Sequence, residues 1–290
     1  MEPWNSASRL DRVDEHRGSA DWVACQWRQP DALLLKIDEH GRCFVNDDGS
    51  LRMTRPFVEF DPERHFLLGT VDDAPVFAVE ALPDGPMASL REIIPSADDT
   101  GRDIAVAGVA LTHWHRTDRH CPHEGAETTV IRGGFARRCS VGGNEIFPRS
   151  DAAVIVAIRD RADRLLLAHQ ASWDAGRVSV LAGFVEAGES FEQAVHREIA
   201  EESDVTLDEL TYFGSQPWPF PRSLMVGFLA RAASEEITVD GEEIEWARWY
   251  TRQEVRDATA AGEISLPGSA SIARRMIDAW LTAKAPAIAR

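Results

Sequence analysis

"GFVEAGESFEQAVHREIAEESDV", residues 183–205, poses a choice between a solvated acidic helix and a reaction centre. Ser190 followed by Gln193 is a capping-box signature, so a helix starts there. At about 100° per residue, Phe191, Val195 and Ile199 form an apolar stripe. Glu198 and Glu202 fall within that stripe, and Gln193, His196 and Arg197 make the polar face. Glu201 lies to one side, one turn from Arg197, in reach of an i,i+4 ion pair. Two carboxylates one turn apart on an inward stripe repel each other, and burying them unpaired is costly. A hard divalent cation with oxygen ligands removes that cost. A solvated face is the competing reading, and it is the usual meaning of a run of Glu.

The spacing separates the two readings. Gly183, Glu189, Arg197-Glu198-Ile199, Glu201-Glu202 and Val205 stand at the intervals of the Nudix box, and the segment resembles that loop–helix–loop. One position departs: the family's glycine after the second Glu pair is Asp204. A left-handed residue is favoured there, and Asp tolerates that conformation better than most. The resemblance implies an α+β chain whose main domain is a Nudix α/β/α sandwich with a mixed sheet. It implies Mg²⁺ or Mn²⁺ held by Glu198, Glu201, Glu202, the Ala182 carbonyl and a distal carboxylate. Glu243 matches that last position, with Glu242 and Glu245 as rivals. Glu202 would orient or deprotonate the attacking water, with Glu198 and Glu201 completing the catalytic set. Arg197 would position the carboxylates.

"SQPWPFPRSLM", residues 215–225, lies downstream. Its prolines lack a backbone donor and fix φ, so it is neither helix interior nor central strand, and it reads as a stiff extended loop. After a Nudix box, this string resembles the signature of the NADH pyrophosphatase branch, whose members also remove NAD caps from RNA. Aromatic rings on a pre-stiffened loop suit the flat faces of a dinucleotide. Gln216, Pro217, Trp218, Pro219, Phe220, Pro221, Arg222 and Ser223 are therefore the expected substrate-binding segment. Phe184, Phe147, Ala273 and Arg91 stand at further substrate-contact positions of the family. The implied reaction splits the pyrophosphate of NAD(H) into a nicotinamide mononucleotide and AMP. A Nudix hydrolase for ADP-ribose or nucleotide sugars, or a non-catalytic dinucleotide sensor, are the alternatives.

Around these motifs the chain of 290 residues, 44% hydrophobic, reads as an ordinary globular protein of about two domains. Residues 1–22 form a polar tail without the apolar segment of a secretory signal. Residues 23–115 carry short apolar runs broken by turn signals, the pattern of a β-rich domain, then a helical stretch. Residues 116–148 resemble a degenerate zinc ribbon, and 149–290 form the Nudix domain. Where relatives carry two Cys-x-x-Cys pairs, this chain has Cys121-Pro-His-Glu124 and Cys139-Ser-Val-Gly142. Two of four thiolates are missing; His123 or Glu124 replaces one at most, so a structural zinc is not expected. Four scattered cysteines fit no disulfide framework, and the expected compartment is the cytoplasm. No apolar run spans a bilayer, so no membrane partner is expected. The net charge of −17 argues against a broad nucleic-acid footprint, so a polyanionic substrate such as NAD-capped RNA must be drawn in locally. The family resemblance adds a homodimer.

Overall fold

The computed structural model describes residues 7–283. These divide into two compact units: residues up to Ser150 together with Trp218–Arg222, and Asp151–Pro217 together with the chain from Ser223 onward.

The first unit opens earlier than its composition suggests. Residues 1–6 of the expected polar tail lie outside the described residues. From there on the segment is not a frayed tail: Leu10 and Val13 are buried, and Asp11 exchanges backbone hydrogen bonds with Thr70 at 2.9 and 2.8 Å. Two apolar side chains in a polar stretch suffice to dock it. Helix α1 (Ala20–Trp27) follows, capped by Ser19. Strands β1 (Leu33–Ile37), β2 (Cys43–Phe44), β3 (Met53–Thr54), β4 (Phe66–Val71), β5 (Ala74–Glu80) and β6 (Met87–Ala88) form one sheet, in the order β4-β5-β1-β2-β6 with β3 on β1. Leu35, Leu67, Phe77 and Ala78 are fully buried in it. Helix α2 (Leu90–Ile93) and the long α3 (Asp99–Thr117) complete this part. Strands β7 (Thr128–Ile131), β8 (Ala136–Cys139) and β9 (Glu145–Ile146) then form a separate three-stranded sheet.

The second unit is built on β10 (Asp151–Arg159), β11 (Leu165–Gln170), β12 (Leu181–Phe184), β13 (Leu207–Trp218), β14 (Ser223–Ala232) and β15 (Ile244–Tyr250), with helices α4 (Phe191–Ser203), α5 (Arg252–Ala260) and α6 (Ile272–Thr282). Strand order is β13-β14-β10-β11-β15, with β12 on β10. The β10–β14 pair is parallel along its whole length, and the other β10 pairs are antiparallel, so the sheet is mixed. Alternation along a strand sends neighbours to opposite faces. Val154, Val156 and Ile158 pack with Ala194, Val195 and Ile199 of α4. Ile155 and Ala157 pack with Ile272, Ala273, Met276 and Ile277 of α6. The result is a sheet between two helical layers, with mixed α+β content.

The expectation of a proline loop over 215–225 needs correcting. Gln216, Pro217 and Trp218 complete β13, and Ser223 opens β14, so only residues 219–222 form the turn. Pro217 is tolerated because β13 is the edge strand, where a missing donor breaks no inner ladder. The Phe220–Pro221 peptide is cis.

Candidate active site

Helix α4 begins with the reciprocal cap read from sequence: Gln193 N donates to Ser190 Oγ at 3.1 Å, and Ser190 N to Gln193 Oε1 at 2.8 Å. It ends on Asp204, whose φ of 56° and ψ of 16° place it in the left-handed region. Val195 and Ile199 are buried, but Phe191 is 40% exposed. The apolar face starts one turn later than the wheel suggests, with Ala194 as the first fully buried member of the helix.

Arg197 organises the polar side. Its Nε and Nη2 donate to the two oxygens of Glu189 at 2.7 and 2.8 Å. Nη2 also donates to the Phe184 carbonyl at 2.9 Å, and Nη1 meets Glu198 Oε1 at 2.9 Å and Glu201 Oε2 at 3.0 Å. Those hydrogen bonds hold the Glu189 carboxyl down at about 2 and raise the guanidinium above its ordinary value. One side chain therefore ties the loop after β12 to two carboxylates of α4.

Glu202 stands apart from that clamp. It is 4% exposed, and its Oε2 has no hydrogen-bond partner. Burial pushes its pKa up to about 8, helped by the charges of Glu243, Glu198, Asp240 and Glu201. Glu198 is raised as well, by burial first and against the pull of Arg197. Among the three rival distal carboxylates, Glu243 is the one whose charge acts on both Glu198 and Glu202. Glu245 lies instead 3.6 Å from His169 Nε2. Glu243 is steadied by Gln170, whose Nε2 donates to Oε1 at 2.9 Å.

The donors of this cluster are all carboxylate oxygens, the ligand type of a hard divalent cation. An orphaned buried carboxylate oxygen beside four like charges needs positive charge to offset it. The backbone makes room for the cluster: a Cβ on Gly183 would run into the Glu198 carboxyl group. The residues present thus fit a divalent metal. Ala182, the expected carbonyl donor, pairs with Ile155 in the β12–β10 ladder, next to Gly183.

The expected substrate residues are not all placed as binding groups. Gln216 is fully buried: its Nε2 donates to Ala270 O at 2.7 Å, and its Oε1 accepts the Ile272 amide. Both ends are used to hold the start of α6, where Ala273 is also buried. By contrast, Phe184 and Phe147 are 59% and 57% exposed. In the first unit Trp218 and Phe220 meet edge to face at 5.0 Å, and the Arg91 guanidinium lies 4.5 Å from the Phe220 ring centre. Pro219 is buried and Pro221 exposed.

Two supporting residues escaped the sequence reading. Asp240 accepts the amides of Glu243 and Ile244 at 3.2 and 2.9 Å and so shapes the turn that presents Glu243. Its signal is the Asp-Gly pair at 240–241, a turn marker. Gln170 sits at a register shift in the β11–β15 ladder, and irregular pairing of this kind re-aims a side chain without a sequence signature.

In the ribbon-like segment, Cys121, Glu124 and Cys139 place their ligand atoms within 4.8 Å of one another. Glu124 Oε2 accepts the Cys139 thiol and the Gly142 amide, both at 2.8 Å. The segment is thus pinned by the Glu124 carboxylate.

A NUDIX domain model matches residues 148–267. The "NAD-capped RNA hydrolase NudC" of Mycobacterium bovis (strain BCG / Pasteur 1173P2) is 43% identical over 297 residues, spanning 96% of this chain and 94% of the relative. The chain belongs to the Nudix hydrolase family. A second relative, from Citrobacter koseri and carrying the same NudC description, is 36% identical over 257 residues, 86% of this chain and 95% of its own. A solved NUDIX hydrolase from Nitrosomonas europaea is 17% identical, covering 56% of this chain and 90% of that one, with a TM-score of 0.45. Nudix hydrolases use a divalent metal, and α4 with its flanking loops is the Nudix box of this chain. No helix of the described residues is long and apolar enough to cross a membrane.

Proposed function

We propose that the chain hydrolyses the pyrophosphate bond of NAD(H), giving nicotinamide mononucleotide and AMP, and that it removes NAD caps from RNA. The full-length NudC relatives support the substrate, and the buried, unpartnered oxygen of Glu202 carries the chemistry. In this reading Glu198, Glu201, Glu202, Glu243 and the Ala182 carbonyl hold Mg²⁺ or Mn²⁺. When bound, the cations supply positive charge to the developing phosphoryl oxygens. Glu202 takes a proton from the attacking water at Oε2, a buried oxygen that accepts no hydrogen bond from the protein. Arg197 fixes Glu198 and Glu201, holds the loop after β12 through Glu189, and donates to the carbonyl of Phe184 at the end of β12.

Phe184 and Phe147 offer exposed ring faces for the nicotinamide or adenine, and Trp218, Phe220 and Arg91 form a second aromatic and cationic group. Arg222 and Ser223 flank that group. Gln216 and Ala273 act indirectly, by setting the start of α6. Residues 149–290 form the catalytic domain, in a cytoplasmic homodimer; a structural zinc is not part of the proposal.

Glu202→Gln tests the reading, because it keeps shape and removes the base. Its kcat on NADH should fall by about 10²-fold or more while circular dichroism is unchanged. A loss below about tenfold, equivalent to 1.4 kcal/mol of barrier, would remove Glu202 from the chemistry.

A further inference from the structure

Ile244 and Trp246 stand two residues apart on β15, a spacing that puts side chains on one face of a sheet. Here they are on opposite faces: Ile244 packs with Ala194 and Val195 of α4, and Trp246 with the cluster that holds Ile272 and Ala273 of α6. The cause lies in the ladder with β11. His169 opposes Trp246 but Gln170 opposes Ile244, so Glu245 is an extra residue with no opposite number. A strand without this bulge would send Ile244 to the α6 face. With it, the turn leading into β15 arrives on the α4 side, and Glu243, one residue before Ile244, acts with its charge on Glu198 and Glu202. Gln170 lies on the same face, in line with Leu166 and Ala168.

Glu198, Glu201 and Glu202 are fixed by their helix, and two of them by Arg197 as well. Glu243 has neither support, since it is exposed and sits on a turn. Two hydrogen bonds hold it. Its backbone amide donates to Asp240 Oδ2 at 3.2 Å, and its Oε1 accepts Gln170 Nε2 at 2.9 Å. Among the described residues, nothing donates to its Oε2, which stays open to a ligand. An exposed glutamate otherwise spreads over many rotamers, and binding a cation would have to select one of them. The amide makes that selection beforehand. It is also a neutral donor, so it leaves the carboxylate its full charge, which an ammonium or guanidinium at this place would cancel. Outer hydrogen bonds of this kind to a ligating group are worth about 10–100-fold in metal affinity.

We propose that Gln170 is a positioning residue of the metal site: carried by the β11–β15 bulge to the α4 face, it fixes Glu243 and thereby sets the affinity of the chain for the divalent cation. This role rests on the assignment of Glu243 as a cation-holding carboxylate.

Mn²⁺ binding to the full chain without substrate, followed by electron paramagnetic resonance of the free ion, tests it. Gln170→Met keeps the length of the side chain and removes the donor. It should raise the Mn²⁺ dissociation constant by about tenfold, the lower end of such effects, and excess Mn²⁺ should restore NADH turnover. Glu243→Ala should weaken Mn²⁺ at least as much. Adding Gln170→Met to Glu243→Ala should then cause no further loss, because a residue acting through Glu243 has nothing left to position. If Gln170→Met does not fold, Gln170→Ser, whose hydroxyl is too short to reach Glu243, must give the same shift. Unchanged Mn²⁺ affinity in a folded variant overturns the proposal. So does an equal loss in the Glu243→Ala background, or turnover that stays low at saturating Mn²⁺. A Glu243→Ala variant that binds Mn²⁺ like the wild type removes the assignment of Glu243 itself, and the role of Gln170 falls with it.

Discussion

Glu202 is where burial and chemistry conflict most sharply. A free glutamate titrates near 4.5, and in the metal-free fold this one is pushed up to about 8. Below pH 4.5 both states are protonated and nothing is lost. Between about 4.5 and 8 the unfolded chain ionises first, so stability falls as pH rises, and above 8 the loss is complete. A tenfold difference in proton affinity between the folded and unfolded states is worth about 1.4 kcal/mol, so after relaxation the loss is of order 2–4 kcal/mol. Urea unfolding in chelator should therefore show the wild type weakening from pH 5 to pH 8, and Glu202→Gln should flatten that part of the slope. Identical slopes would mean that Glu202 is solvated and freely ionised. Gln216 belongs to the opposite class. The string around it suggests a substrate contact, but the residue is a buried bracket between β13 and α6. Gln216→Ala leaves a buried carbonyl and amide unpaired, so it should cost about 1–3 kcal/mol of stability in a denaturant titration. A folded variant with unchanged midpoint and a raised KM would restore the substrate role.

At the scale of elements, the Nudix helix was legible because its signals are local. Ser190 and Gln193 mark the start, the Glu spacing marks the box, and Asp204 marks the end. Asp204 adopts the left-handed conformation that the missing glycine would adopt freely. Asp204→Gly should thus stabilise the chain by about 0.5–1 kcal/mol, read as a higher urea midpoint at constant slope, with activity retained. A lower midpoint would show that the Asp side chain does more than tolerate the turn. The hairpin at 217–223 was less legible, because proline's exclusion from strands applies only inside a sheet. Nothing in "SQPWPFP" says that β13 lies at an edge, since edge position depends on the order of distant strands. The wheel likewise placed Phe191 inward: it knows the helix period but not which turns the rest of the fold covers.

Across the whole molecule, the β-rich first half could be read from apolar runs and turn residues, which are local features, and the mixed sheet of the second followed from the resemblance carried by the Nudix box. The docking of residues 7–19 could not, because it depends on a bridge from Asp11 to Thr70 across a large sequence separation. The carboxylate site shows the same division. Glu198, Glu201 and Glu202 share one helix and one motif, whereas Glu243 and Asp240 reach it from the turn leading into β15 and Gln170 from β11. Only the packing of the sheet and α4 brings these segments together. A polyanionic substrate meets an acidic chain, so its recognition rests on local groups and not on the overall field. The most direct measurement is product identification after incubating the protein with NADH, and separately with ADP-ribose, in Mg²⁺ or Mn²⁺ and in chelator. NADH should yield reduced nicotinamide mononucleotide and AMP in equal amounts, only with the divalent cation present, and faster than ADP-ribose is cleaved. Cleavage of ADP-ribose in preference to NADH, or turnover of NADH that persists in chelator, would contradict the assignment.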